Sequence, residues 1–370
     1  MMMGVLLHAS NVYLPAGGWL VSDPQRGGAF FEWLSGGIHV FRMPAFFWIS
    51  GWLTAATFVR VGTRTALLRR VQRLFIPLVA SLLTLNLLQE FVLARHEGAQ
   101  SLQVWRDGIA LFHLWFLLDL VFFVPLVPVV LAFARRLRSG PGEILLASHW
   151  SLTILGLGML SALPVMIPRL TGLSEFNLLG LSNLYRLFSY APFYFGGLFM
   201  FFRPKLHRSL CATPRLIFVI ALLLALLSRP WLKVAGPLIG EIVQTLGFVF
   251  AWACVGALLN LLRRTIANAP ILARLSSEVS YTVYLFHHVI VVMLGLALID
   301  LPWSAGCKFL VLVTLTLGIT VGIHVLAIQR LPLLSLAFNG RWPTSMPNGF
   351  RAWLRAPHRA VRESSPPTVL

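Results

Sequence analysis

The chain has 370 residues, 58% of them hydrophobic and only 11% charged, a balance that excludes an ordinary soluble globular domain. Thirty Lys and Arg against twelve Asp and Glu give a formal net charge of +18. The basic residues cluster between long apolar stretches, which suits the loops of a polytopic membrane protein and not a groove that tracks nucleic-acid phosphates. Three cysteines, Cys211, Cys254 and Cys307, have no CxxC spacing and lie far apart, so neither a disulfide framework nor a zinc site is expected.

The first apolar run, residues 1–14, covers about two thirds of a bilayer crossing before Pro15, Ala16, Gly17 and Gly18 end it. A first helix truncated at its N-terminus is expected. A signal peptide is the rival reading, but the run lacks a basic n-region and contains His8 and Asn11. Windows of spanning length follow at roughly 38–59, 71–93, 109–134, 151–170, 185–202, 216–232, 238–262, 276–299 and 305–328. The expected fold is therefore all-α and polytopic, about ten transmembrane helices in one domain over residues 1–334. Residues 335–370 are rich in Arg, Pro and Ser without an apolar period, and read as a basic, mostly disordered tail drawn to the anionic leaflet.

With alternate connections assigned to one side, that side carries twenty-one basic residues and the other eight, while Arg42 lies inside a span. The positive-inside rule then puts both termini in the cytoplasm. No internal repeat and no paired broken helices of the secondary-transporter kind are found.

Ionisable groups inside spans are costly and mark function. His8 lies two turns before the outer end of the first helix, His39 and Arg42 at the outer end of the second, Glu90 near that of the third, and His113 near that of the fourth. His287 and His288 sit midway along the span at 276–299. Their shared depth predicts one polar, water-reachable cavity. His39, Arg42 and Phe46 fall on one helical face, with Pro44 freeing a carbonyl nearby; an aromatic packing helix with a snorkelling Arg is the bland alternative. His113 and Asp119 share an otherwise apolar helix, and Ser280, Tyr284 and His287 line one face of another beside Tyr281. At the cytoplasmic start of the third span, Arg69, Arg70 and Arg73 supply a pair of guanidinium forks one turn apart, able to hold a phosphate or pyrophosphate; plain positive-inside decoration is the other reading. No metal-ligand spacing such as HExxH occurs, so no metal is expected.

In the segments GVLLHAS, HVFRMPAFFWISGW, RRVQRLFIP, HLWFLLDL and SYTVYLFHH, by their order and spacing, the sequence resembles acyltransferase family 3 of membrane acyltransferases, and within it the glucan biosynthesis protein C branch. The resemblance covers nearly the whole chain. It implies a ten-helix domain with His8 as the catalytic base, Arg70 and Arg73 as the RxxR pair that handles an acyl-CoA donor, and Ser280, Tyr281, Tyr284 and His287 as the family's late SYxxYLxH pattern. The branch attaches succinyl groups to periplasmic glucans, which implies a multi-pass protein of the inner membrane. Family members also carry an arginine upstream of the first-helix histidine, at a position that here would precede Met1, in line with the truncated first span.

The expected chemistry is O-acyl transfer from cytoplasmic acyl-CoA, succinyl favoured, to a glycan hydroxyl outside. His8 takes the hydroxyl proton. Tyr284, His113 or Arg42 stabilises the thioester oxygen and His287 is a further catalytic residue, while His39, Arg42, Ser280, Tyr281 and Glu90 contact substrate. Arg69 joins Arg70 and Arg73 on the donor. A covalent route through Ser50 or Ser280 lacks an adjacent base in sequence, so direct transfer is favoured. Acyl-CoA is a substrate and no tightly bound cofactor is expected; the partners are acyl-CoA, a glycan, the bilayer and no nucleic acid, with a homodimer left open. An O-acetyltransferase of the same family and a glycan or organic-acid transporter are the alternatives.

Overall fold

The computed structural model describes residues 2–25, 27–96, 110–137, 139–174, 176–178, 182–228 and 237–341. Backbone polar groups have no water partner in lipid, so an apolar chain crosses it as helices or as a closed barrel, and this chain uses helices. In order they are α1 (Met2–Asn11), α2 (Ala29–Val61), α3 (Thr63–His96), α4 (Phe112–Arg136), α5 (Pro141–Ser148) and α6 (Trp150–Leu170). There follow α7 (Leu184–Met200), α8 (Pro204–Cys211), α9 (Leu216–Ser228), α10 (Pro237–Asn268), α11 (Pro270–Leu298), α12 (Ala305–Ile328) and α13 (Pro332–Asn339). Two short strands, Asn177–Leu178 and Ser182–Asn183, pair antiparallel just before α7.

Six of these helices, α3, α4, α6, α10, α11 and α12, are long and apolar enough to cross a membrane, and α8 with α9 makes a seventh if the pair, bent by 79°, is one span. The chain is a multi-pass membrane protein. The expected ten crossings are met only in part, for three physical reasons. Helix α1 has 10 residues, ~15 Å of rise against a ~30 Å core. Helix α7 has 17 residues and falls just short of a spanning length. Helix α2, with 33 residues, is ~50 Å long, but His39, Arg42 and its Gly and Ser residues dilute its apolar character. The span expected at 216–232 is the 13-residue α9, turned sharply away from α8.

Lipid tails are as apolar as leucine, so helices associate in the bilayer through close packing and small residues. Helices α2 and α7 make the most extensive contact of the fold. A Cβ added at Gly51 would lie 1.8 Å from the Tyr194 carbonyl oxygen, and one at Gly197 would lie 2.1 Å from that of Trp48. The two glycines therefore let the backbones touch reciprocally. Around this crossing Phe47 packs edge-on against Phe116 (4.7 Å between centroids) and stacks on Tyr190 (4.8 Å). Helix α1 wedges between α2, α11 and α12. The loop after it is pinned by a buried ion pair: Lys308 Nζ donates to Asp23 Oδ2 at 2.7 Å and to the Ile299 carbonyl at 2.9 Å.

The domain boundary expected at residue 334 falls inside α13, whose Phe338 packs on Phe286 of α11 (4.9 Å). Beyond Arg341 the expected disordered tail lies outside the described residues, as do Arg26, Arg106, Arg138, Arg229 and Lys233 of the charge count.

Candidate active site

Four imidazoles from three helices form one cluster. The His8 ring of α1 lies 4.6 Å from that of His288 and 5.3 Å from that of His287, both on α11. His113, at the start of α4, stacks on His288 at 4.7 Å and meets His287 edge-on at 5.1 Å. The rings pack face and edge, and among the described residues no group of His, Cys, Asp and Glu is arranged to hold a metal ion. His8, His113 and His287 join Arg42, Phe46, Trp115 and Tyr284 around an enclosed cavity with room for about one water molecule.

Hydrogen bonds fix the roles these groups can take. His287 Nδ1 donates to the Val283 and Tyr284 carbonyls, both at 2.8 Å, so Nε2 of the neutral ring presents a lone pair and cannot donate to a developing oxyanion. Tyr284 donates its hydroxyl proton to the His113 carbonyl at 2.8 Å, which makes it a brace for the start of α4. His288 Nδ1 donates to Gln89 Oε1 at 2.7 Å. Both ring nitrogens of His8 and of His113 are buried without a partner, as is Arg42 Nε. Among the described residues no carboxylate pairs with Arg42. Unpaired polar groups at membrane depth are costly, and here they converge on one space. Gly4 makes the convergence possible: a Cβ there would lie 3.0 Å from His287 Nε2 and 3.2 Å from Arg42 Nη1.

The entry to α4 is strained. Phe112, immediately before His113, has φ +44°, a left-handed conformation costing a bulky residue ~1–3 kcal/mol. A π-helical turn over Leu82–Asn86 shifts the following face of α3 so that it braces this entry. Asn86 donates to the Ala110 carbonyl at 2.6 Å, and the Ala110 N–H donates to Glu90 Oε1 at 3.0 Å.

A second, open cleft lies at the other end of α2, about 1340 Å³ including solvent at its mouth. Arg60, Arg69, Arg70, Arg73 and Arg341 line it with Thr54 and Thr57. Arg70 donates to the Ser50 hydroxyl, and the Tyr281 hydroxyl donates to the Arg73 carbonyl at 2.9 Å. Arg42 and Phe46 of the histidine cavity and Ser50, Thr54 and Thr57 near the cleft follow one stripe of α2.

The expected polar cavity and the expected basic group at the start of α3 are thus two separate places, which share no lining residue. The structure brings His8, Arg42, His113, Tyr284 and His287 together, and gathers Arg69, Arg70 and Arg73 in the cleft. Tyr281 lines neither space and braces the backbone of Arg73 beside the cleft. Three other residues expected to contact substrate line neither space. His39 is exposed and lines neither space, because i+3 spacing leaves it about 60° off the Arg42 direction. Ser280 bonds the Ser277 carbonyl of its own helix at 2.9 Å. Glu90 holds the Ala110 backbone. Asp119 pairs with Arg186 (3.1 Å) and Ser182 (2.7 Å), and Arg186 in turn lies over Trp115 at 4.8 Å, so that the pair supports one cavity wall. Sequence reading missed Gly4, Gln89 and Trp115 as parts of the first site, and placed Arg60 and Arg341 among loop charges. Only Gly4 had a visible signal, a glycine one helical turn before His8.

The fold and these two places define a multi-pass membrane protein with a buried imidazole site and, towards the other end of α2, an arginine-lined cleft. The profile of the acyltransferase domain of family 3 matches residues 1–325, and the chain belongs to that family. It is similar to glucans biosynthesis protein C of Salmonella paratyphi A, of Salmonella agona (strain SL483) and of Salmonella enteritidis PT4, at 25% identity over 367 residues, covering 93% of this chain and 92% of theirs. No solved structure matches.

Proposed function

We propose that this acyltransferase moves a succinyl group from cytoplasmic acyl-CoA to a hydroxyl of a periplasmic glucan, within an inner membrane that the chain crosses ten times with both termini inside. Helix α2, whose ~50 Å exceeds the bilayer core, is one of those crossings. The observation that carries the reading is the stagger of the two sites on it. The centres of the cavity and the cleft are separated by about 13 residues of helix, ~20 Å of rise. An extended pantetheine arm, with about a dozen backbone bonds, covers ~15 Å of this at the spacing of an extended chain, and the pyrophosphate from which it hangs spans the rest.

Arg70 and Arg73, with Arg69, hold the donor phosphates as the arm runs along the α2 stripe. The thioester carbonyl reaches the cavity as its lining side chains move aside. His8 accepts the glucan hydroxyl proton while the oxygen attacks the carbonyl carbon, and His113 donates to the developing oxyanion. The C–S bond then breaks, and the thiolate takes the proton from the His8 imidazolium. Arg42, without a carboxylate of its own, binds the far carboxylate of the succinyl group. An acetyl donor uses every residue named except Arg42.

The test is transfer of label from succinyl-CoA to glucan by the purified protein and its His8→Ala variant. Loss of a positioned base costs ~10²–10⁴-fold. The expected result is that loss with the CoA-induced rise in melting temperature retained. Full activity of His8→Ala would remove the base assignment.

A further inference from the structure

The cleft carries more positive charge than a pyrophosphate needs. Its five arginines come from the end of α2, the start of α3 and the residue two places beyond α13, and among the described residues no Asp or Glu lines it. Arg73 bears the repulsion of Arg341, Arg70 and Arg69 together. Like charges held this closely are unfavourable unless a polyanion joins them.

Arg341 is held there by fixed backbone, unlike a loose basic tail attracted to a lipid surface. Helix α13 ends at Gly340 in the left-handed conformation, φ +60°, with its N–H on the Leu336 carbonyl at 2.9 Å. A Cβ at Gly340 would lie 2.6 Å from Arg73 Cα and 2.9 Å from the Gln72 carbonyl oxygen. Both the conformation and the contact require glycine. Phe338 on Phe286 clamps the helix behind it, and the Tyr281 hydroxyl holds the Arg73 carbonyl on the other side. The chain therefore invests an αL cap, a glycine wedge and a buried aromatic contact in delivering one more guanidinium to the RxxR pair.

We propose that Arg341 binds the phosphomonoester at the nucleotide end of the CoA donor, leaving the pyrophosphate to Arg70 and Arg73. The inference rests on the reading of the cleft as the donor site. A pyrophosphate diester brings about two negative charges and a phosphomonoester adds ~1.5–2 near pH 7, which accounts for guanidinium groups beyond the first pair. The phosphate of an anionic lipid headgroup has the same chemistry, so the experiment separates the two sources.

The full chain is placed in nanodiscs of zwitterionic lipid and titrated with CoA and with dephospho-CoA, which lacks only the monoester. The wild type is expected to bind CoA about ten- to hundredfold more tightly, the range of a charge-assisted hydrogen-bonded contact. Arg341→Ala removes that preference and leaves dephospho-CoA binding unchanged, which also shows that the variant is folded. Gly340→Ala, which displaces the backbone carrying Arg341, reproduces the loss, and Arg341→Lys restores part of it. Equal weakening of both ligands by Arg341→Ala, or of neither, overturns the inference while CoA binding by the cleft survives. Absence of CoA binding in the wild type, with an Arg341-dependent preference for nanodiscs of anionic lipid, overturns both and assigns the cleft to lipid.

Discussion

Gly4 decides whether α1 can bring His8 to the other imidazoles. The atoms nearest its missing side chain are the far ends of His287 and Arg42, at 3.0 and 3.2 Å, so alanine is accommodated by a shift of a few tenths of an ångström. Valine needs more, and separates the two groups. Gly4→Val is expected to lower transfer at least tenfold, about 1.4 kcal/mol of barrier, with little change in melting temperature. Arg42 is proposed to read the far carboxylate of the succinyl group. Arg42→Gln should reduce kcat/KM for succinyl-CoA by about ten- to hundredfold, as for loss of a charged hydrogen bond, and leave acetyl-CoA within a few-fold; equal loss on both donors would make Arg42 part of the acyl-transfer machinery. At this scale the sequence was informative wherever an ionisable group had to justify its place in lipid. His8, Arg42, His113 and His287 stood out on that ground and meet in one cavity. His39 stood out for the same reason but is exposed, because helix position alone does not say which way a neighbouring helix lies.

Helix α2 is the element on which the two sites are strung, and its fit against α7 sets their alignment. Gly51 and Gly197 allow backbone contact that any side chain prevents, since a Cβ at Gly51 would overlap the Tyr194 carbonyl oxygen at 1.8 Å. Overpacking of this kind costs ~1–3 kcal/mol or more. Gly51→Leu should therefore lower the melting temperature in detergent and reduce transfer with both donors, unlike the selective effect expected at Arg42. The two glycines read in sequence as ordinary small residues in apolar helices. Their importance depends on a partner some 140 positions away, which periodicity does not reveal. The same limit hid α13, a short helix in a segment whose Arg, Pro and Ser content resembled a disordered tail. The π turn of α3 and the bend between α8 and α9 were invisible for a related reason: hydropathy reports that a segment is apolar, not that its helix is irregular.

Across the whole molecule, charge pairs tie distant parts of the chain together. Lys308 and Asp23 are 0% and 1% exposed at the side chain and close the loop after α1 onto the start of α12. Removing one partner strands the other, so Lys308→Ala should destabilise by ~3–5 kcal/mol, and Lys308→Met with Asp23→Leu should recover most of it. The pair also joins the connection after α1 directly to the one before α12. Hydropathy and basic-loop bias were enough to read a multi-pass architecture, and the ordered set of short motifs enough to read the family. The division into a polar site and a basic cytoplasmic group was legible as well, but the recruitment of Arg60 and Arg341 to that group was not, because it depends on which helix ends pack together.

In the proposed mechanism the two sites on α2 work on one molecule across the bilayer, the donor held at one end and its acyl group delivered at the other. It is tested most directly in sealed proteoliposomes of uniform orientation, with labelled succinyl-CoA confined to the side of the arginine cleft and glucan to the opposite side. Labelled glucan is expected on the side without CoA, at a rate that Arg70→Ala/Arg73→Ala and His8→Ala each abolish. Labelling only when donor and glucan share a compartment would contradict it.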